Sequence, residues 1–170
     1  MDPPQRLRLS KPWLNIEEYR RGRILEARYE AELALKFLEA GLYRNAAGKA
    51  FQAWKALLAA LAVNYGEELA KRFKGGVKRT RDGKRVSLSD FIVAFMPTGY
   101  MLAVAKALEQ LTGKPLVDLT NTAINLHEFQ YNGLDETGGV FSRYPTIDLV
   151  IDDIKRVVNG VQQILGSMQT

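Results

Sequence analysis

The segment from Asn45 to Tyr65 constrains the fold of this chain more than any other segment. Its larger apolar side chains recur at three- and four-residue spacing, which predicts an amphipathic helix. The small residues Ala46, Ala47, Gly48, Ala50 and Ala53 allow a neighbouring helix to approach closely. The apolar stripe consists of Ala47, Ala50, Phe51, Trp54, Leu57, Leu58, Leu61 and Tyr65. A helix with this surface is expected to pack tightly within a helical core.

The pair Gly48-Lys49 in this segment invites comparison with a phosphate-binding loop. Such a loop requires the pattern G-x-x-x-x-G-K-[ST] after a strand. Here six residues separate Gly41 from Gly48, and Ala50 occupies the position of the hydroxyl that binds Mg²⁺. No β-rich run precedes Gly41. The pair is therefore assigned to the helix, where glycine and alanine favour close packing.

A second long helix is predicted just before this one. Asn15 can cap it, and Glu18 three residues later completes a capping box. Apolar residues continue with helical spacing to about Ala40, and Gly41 is well suited to end the helix. Because the link between the two helices is short, we expect them to form an antiparallel hairpin with Trp54 buried against the first helix.

The remainder of the chain repeats the helical pattern. Ser87 and Thr98 can cap two helices that end near Phe95 and Gly113, Pro115 is well placed to open another, and Thr146 can cap the last. The predicted fold is an all-α, up-and-down antiparallel bundle of four long helices plus one or two short ones. It forms a single domain over residues 1–170, with an N-terminal arm at 1–14 and a basic loop at about 72–87.

Composition excludes several classes of function. The chain has no Cys and one His, so disulfides and thiol catalysis are excluded and no metal site or cofactor is expected. Its longest wholly apolar run has eight residues, far fewer than the roughly 20 needed to span a bilayer. The N-terminus lacks the apolar core of a signal peptide. We therefore expect a cytoplasmic protein that does not enter a membrane.

The positive charge of the chain is concentrated in one place. The chain carries a net charge of +5, and residues 71–85 alone contain eight basic residues and one acidic residue. The Asp82-Gly83 pair in this segment favours a tight β-hairpin turn. A segment of this kind either binds polyanions or simply solubilises the protein. The candidate nucleic-acid-binding residues are Lys74, Lys78, Arg79, Arg81, Lys84 and Arg85, with Trp13 and Phe73 as candidate stacking platforms.

His127 is the only side chain whose unperturbed pKa lies near neutrality. Tyr131 follows one helical turn later and shares its face. These two are the candidate catalytic residues, with proton donation to a leaving oxygen as their chemistry. The alternative is a structural histidine at the edge of an apolar stripe. Asp148, Asp152 and Asp153 are assigned to stabilisation of a helix N-terminus rather than to a metal.

Two stretches resemble the HEPN superfamily of small helical domains, and most closely its archaeal PaREP-type branch. They are GLYRNAAGKAFQAWKAL, which begins at Gly41, and NLHEFQYNG, which begins at Asn125. The resemblance covers about residues 16–166 and implies an up-and-down bundle that usually dimerises. Some members are ribonucleases with an Arg-x(4–6)-His motif, and others bind nucleotides or pair with nucleotidyltransferases. The motif positions before His127 are Thr120, Asn121 and Thr122, so its arginine is absent.

Three functions follow as alternatives. The first is a homodimer that binds nucleic acid or nucleotides through the basic segment. The second is an interaction module that pairs with another subunit, such as a nucleotidyltransferase. The third is a remodelled ribonuclease that uses His127, although the missing arginine argues against enzymatic activity.

Overall fold

The computed structural model describes residues 10–168 and confirms the all-α fold class. A one-turn 3-10 helix at Val63–Tyr65 and a small two-stranded hairpin accompany the α-helices. The helices are α1 (Ile16–Glu39), α2 (Tyr43–Ala62), α3 (Gly66–Arg72), α4 (Leu88–Phe95), α5 (Thr98–Thr112), α6 (Val117–Asn132) and α7 (Ile147–Met168), and the strands are β1 (Lys78–Arg79) and β2 (Arg85–Val86).

The α1–α2 hairpin forms as the sequence predicts. The Asn15 side chain accepts a hydrogen bond of 2.9 Å from the Glu18 backbone N–H and so caps α1. At the other end, Gly41 adopts a φ of +73°, which ends α1 and turns the chain back. Only Ala40, Gly41 and Leu42 separate the two helices. The short link makes α1 and α2 antiparallel neighbours.

Helix α2 is the central element of the bundle. It packs against α1, α5, α6 and α7, and most of its residues are buried. Trp54 is fully buried, as predicted, and its indole N–H donates a 2.8 Å hydrogen bond to Thr120 Oγ1 of α6. Gly48 lies inside α2 with the Gln130 side chain of α6 directly above it, where a Cβ would come within 2.6 Å of that side chain. The Gly48-Lys49 pair therefore serves helix packing.

Three details of the helix ends differ from the sequence predictions. Helix α2 ends at Ala62, and the 3-10 helix Val63–Tyr65 and then the short helix α3 follow it. Pro97, rather than Thr98, occupies the cap position of α5. Helix α6 begins two residues after Pro115, and its cap comes from a distant side chain. The Glu109 carboxylate accepts hydrogen bonds of 2.7 and 2.9 Å from the Leu116 and Val117 backbone N–H groups.

The turn predicted at Asp82-Gly83 is present. Strands β1 and β2 pair antiparallel, with Lys78 opposite Val86 and Arg79 opposite Arg85. Gly83 supplies the positive φ, +84°, that this turn requires. Two residues of this β-hairpin, Thr80 and Val86, are buried. We call residues 78–86 the basic hairpin.

Between residues 10 and 168, no single helix has both the length and the apolar character needed to cross a membrane. Helices α4 and α5 satisfy that test only when taken together, and they are bent by 100° relative to each other.

Candidate functional site

The basic hairpin presents its charges to solvent. The six candidate nucleic-acid-binding residues are all exposed, and five of them belong to the hairpin while Lys74 precedes it. Among residues 10–168, the recorded ion pairs are Arg23–Glu26 and Lys49–Glu30, neither of which involves the hairpin. Its cations are therefore available to an external anion, although their binding role stays a prediction.

The tip of the hairpin is internally hydrogen-bonded. The backbone N–H of Thr80 donates to the Lys84 carbonyl at 2.8 Å, and the Gly83 N–H donates to the Thr80 carbonyl at 2.9 Å. The Thr80 hydroxyl also donates to the Asp82 carboxylate, and this bond lowers the pKa of Asp82. The one acidic residue of the segment is thus engaged within the turn.

The two candidate stacking residues are already in contact with the protein. The Lys84 ammonium lies 5.5 Å from the centroid of the Trp13 ring, in a cation–π arrangement that ties the hairpin to the N-terminal segment. Phe73 is half-buried and packs edge-on against Tyr100, with their ring centroids 6.1 Å apart. Trp13 is half-buried as well. Neither ring stands free for base stacking in this conformation.

His127 lies between two aromatic rings. It stacks on Phe51 of α2, with ring centroids 4.0 Å apart and an angle of 19° between the planes. Tyr131 meets the imidazole edge-on, with the centroids 5.2 Å apart. The structure therefore brings His127 and Tyr131 together as predicted, and it adds Phe51, which the sequence analysis placed in the core stripe.

The His127 ring is partly desolvated. Its Nδ1 atom is buried and has no hydrogen-bond partner that meets normal geometry. Burial lowers the pKa of His127, and the positive charge of Lys55 lowers it further. A hydrogen bond with Gln130 and the negative charge of Glu128 partly offset this decrease. The ring is therefore mostly neutral at pH 7, which suits it to accept or donate a hydrogen bond.

Lys55 is a site residue that the sequence analysis missed. It follows Phe51 by one helical turn on α2, so it faces the same side of the bundle as the imidazole stacked on Phe51. Burial lowers the pKa of Lys55, and Arg23 lowers it further. A lysine interrupting the apolar run between Ala53 and Leu61 was the available signal, because a charge there requires a specific environment.

Lys55 belongs to a strip of α2 surface between α1 and α6. The other partly exposed side chains of this strip are Lys49 and Gln52. On the α1 side, Lys49 forms an ion pair of 2.8 Å with Glu30. On the α6 side, His127 and Tyr131 form the wall. We call this strip with its two walls the α2 groove.

A polar cluster on α1 lies near Lys55 in the α2 groove. The Arg23 guanidinium donates to the Tyr19 hydroxyl at 3.0 Å, to Glu26 at 2.7 Å and to the Ala94 carbonyl at 2.8 Å. The Tyr19 hydroxyl donates to the Val93 carbonyl at 2.5 Å. These bonds satisfy carbonyls at the C-terminus of α4 and so anchor α4 to α1.

At the N-terminal end of α2, Arg44 ties this helix to α6. Its guanidinium donates to the Gln130 and Tyr131 carbonyls at 2.8 and 2.7 Å. A pocket of about 360 Å³ lies beside it and has mainly apolar walls that include Leu42, Phe129 and Leu134. Because the Arg44 guanidinium already serves the end of α6, this pocket is better suited to an apolar side chain than to an anion.

The acidic residues of α7 do not assemble a metal centre. Asp153 accepts a 2.7 Å hydrogen bond from the Tyr144 hydroxyl, so it serves to hold the loop before α7. Within the described part of the chain, no three His, Asp or Glu side chains come together in a way that could hold a metal ion.

The model of the archaeal PaREP1/PaREP8 family matches residues 22–155, which include α2, the basic hairpin and α6. No curated protein and no solved structure matches the chain.

Proposed function

We propose that this chain, which belongs to the archaeal PaREP1/PaREP8 family, binds nucleic-acid backbones through its basic hairpin. The observation that carries the proposal is the exposure of Lys78, Arg79, Arg81, Lys84 and Arg85 on a structured turn without protein ion-pair partners. Because none of these cations is held in an ion pair with the protein, contact with a phosphate does not break one.

Contacts of this kind give binding that depends on salt and not on base sequence. The affinity should fall linearly on a log–log plot against salt, with a slope of about −0.9 per phosphate neutralised on duplex DNA and about −0.7 on single strands. Fluorescence anisotropy with labelled RNA and DNA at several salt concentrations measures this slope.

The triple variant Arg79→Ala, Arg81→Ala and Arg85→Ala tests the surface directly. It should weaken binding to all sequences alike and make the salt slope shallower, since about three phosphate contacts are removed. The matched control is Lys36→Ala, Lys106→Ala and Lys155→Ala, which removes the same charge from exposed helical positions elsewhere. Equal losses in the two triple variants, or no wild-type binding at low salt, would refute the proposal.

A second proposed property is homodimerisation. Three large apolar side chains in the loop after α6 are exposed: Leu134 by 45%, Val140 by 70% and Phe141 by 64%. The backbone at Phe141 is held in place, because the Asn132 amide donates a 2.7 Å hydrogen bond to its carbonyl. An exposed phenyl group on an anchored backbone, on the same part of the surface as an apolar pocket, favours a self-complementary contact between two copies.

Such an interface should bury more than roughly 1,000 Å². Light scattering at micromolar concentration should give the mass of a dimer, and Phe141→Ser should shift the equilibrium towards monomer. Scattering by the wild type at the monomer mass would exclude the dimer.

We further propose that the fold is a HEPN-type bundle. The order of elements supports this: an α1–α2 hairpin precedes a helix that carries Leu126-His127 and Tyr131. The positions that would carry the arginine of the ribonuclease motif are Thr120, Asn121 and Thr122, and Thr120 is fully buried under Trp54. If the chain nevertheless cleaves RNA, His127→Ala should abolish cleavage while leaving binding by the hairpin intact.

A further inference from the structure

The α2 groove is built from three helices whose registers are fixed by specific contacts. The Lys49–Glu30 ion pair aligns α2 with α1, and the stacking of Phe51 on His127 aligns α2 with α6. Helix α2 runs antiparallel to both, because higher residue numbers on α2 meet lower ones on its neighbours: Arg44 contacts Gln130 and Tyr131, whereas Trp54 contacts Thr120. Continuing the α1 register by six residues from Lys49 brings Lys55 level with Ile24, next to Arg23, whose charge lowers the pKa of Lys55.

Lys55 is the groove cation that lacks a partner. Lys49 is paired with Glu30, and each nitrogen of the Arg23 guanidinium donates one hydrogen bond, to Tyr19, Glu26 and Ala94. Glu26, whose negative charge acts on Lys55, is already paired with Arg23. Within residues 10–168, the Lys55 ammonium has no recorded hydrogen bond or ion pair. A half-buried ammonium in this state is poorly solvated, so an anion that reached it would be favoured.

The wall opposite α1 supplies complementary groups. The His127 ring is held flat on Phe51, and its orientation is therefore fixed independently of any ligand. Its buried Nδ1 atom has no hydrogen-bond partner that meets normal geometry, and the residue as a whole is partly exposed. Tyr131 next to it has an exposed ring, which offers an aromatic face at the rim of the groove. A cation, an imidazole and an open aromatic ring within one groove match the parts of a nucleotide: a phosphate and a base.

We propose that Lys55 and His127 form a second binding site, separate from the basic hairpin, for the phosphate group of a nucleotide whose base packs on Tyr131. Lys55 provides the charge and the His127 imidazole provides a hydrogen bond. The phosphate belongs either to a free mononucleotide or to the backbone of a single-stranded nucleic acid. This site does not depend on the function proposed for the hairpin.

His127 makes the site directly observable, since it is the only histidine of the chain. In tag-free protein its ring protons give isolated NMR signals that titrate with pH. The probes are AMP, inorganic phosphate and a six-nucleotide oligouridylate. A bound phosphate should raise the pKa of His127, because negative charge favours the imidazolium form. The charged or titratable groups that act on the ring are Lys55 on α2 and Glu128 on α6 itself, and Tyr131 of α6 lies edge-on to it. Arg23 and Glu26 of α1 act on Lys55.

For each probe that the wild-type protein binds, Lys55→Gln should weaken the affinity by about tenfold or more, since a hydrogen bond to a charged group is lost. Lys49→Gln is the matched control, because it removes a neighbouring lysine that is already paired, and it should change affinity by less than about threefold. Lys55→Arg keeps the charge and should retain most of the affinity. Retained binding would show that the loss in Lys55→Gln comes from the missing charge and not from misfolding.

The hairpin triple variant separates the two sources of phosphate and the two proposals. AMP binding that survives Arg79→Ala, Arg81→Ala and Arg85→Ala identifies a mononucleotide site. Oligouridylate binding without AMP binding identifies a site for a nucleic-acid backbone. Unchanged His127 signals with all three probes would overturn the inference, and so would equal losses in Lys55→Gln and Lys49→Gln. Loss of hairpin binding alone would refute only the first proposal.

Discussion

The basic hairpin and the α2 groove both carry positive charge, but they hold it in opposite ways. The hairpin displays exposed cations on a two-stranded turn that lies outside the bundle. The groove contains a single unpaired cation, Lys55, which is half-buried beside a neutral histidine. An exposed charge interacts weakly and is screened by salt, whereas a partly desolvated one interacts more strongly and is screened less. The hairpin is therefore suited to long polyanions of any sequence, and the groove to one defined group.

The two regions also depend differently on the helical core, and this gives the largest predicted effect. Trp54 joins α2 to α6, the helices that carry Lys55 and His127, and it is fully buried. Trp54→Ala should lower the free energy of unfolding by about 3–5 kcal/mol, through lost packing and a cavity. Urea denaturation followed by far-UV circular dichroism measures the change.

The chain offers a matched control in Trp13, its only other tryptophan, which contacts Lys84 of the hairpin. Trp13→Ala should change the free energy of unfolding by about 1 kcal/mol or less, because the residue lies at the periphery. Losses of similar size in the two variants would contradict the distinction between a peripheral hairpin and a groove built into the core.

Much of the fold was predictable because its determinants are local. Asn15 caps α1 through a residue three positions away, and Gly41 ends it through its own backbone conformation. The same holds for Ser87, which caps α4 through the Asp90 N–H. The Asp82-Gly83 turn likewise requires only neighbouring residues. Such signals are contained within a few consecutive positions.

Features that join distant positions were not predictable. The Tyr19 hydroxyl bonds to the Val93 carbonyl, 74 residues away, and the cap of α6 comes from Glu109 on the preceding helix. The candidate site shows the same division. His127 and Tyr131 lie one helical turn apart on α6, so the sequence alone places them together. Lys55 lies near His127 only because α2 packs against α6 in the folded protein.

A smaller effect tests how the groove is held at its α6 wall. Gly48→Ala would bring a Cβ within 2.6 Å of the Gln130 side chain, whose flexible end can move away. The stability change should stay within about 1 kcal/mol, because alanine is the better helix former and offsets the displacement. Gln130 raises the pKa of His127, so displacing it should lower that pKa, as measured by proton NMR.

Gly66→Ala is the control for this variant, because Gly66 lies on the short helix α3 with open space around it. It should leave the His127 titration unchanged. A His127 pKa that does not differ between Gly48→Ala and wild type would show that Gln130 does not influence the imidazole.

The smallest predicted effect is a pH dependence that arises in the groove and not in the hairpin. The pKa of folded His127 lies below its ordinary value of 6.5, mainly because of burial. As the pH falls through about 6.5, the unfolded chain binds a proton before the folded chain does, so the free energy of unfolding decreases. Above that pH the contribution is constant.

His127→Phe keeps a ring stacked on Phe51 but cannot titrate, so the difference in unfolding free energy between wild type and this variant should decrease as the pH is lowered from 7.5 to 5. The difference between wild type and the hairpin triple variant should not change over this range, since arginine stays charged. A constant difference for His127→Phe as well would mean that the imidazole is as solvated in the folded protein as in the unfolded chain.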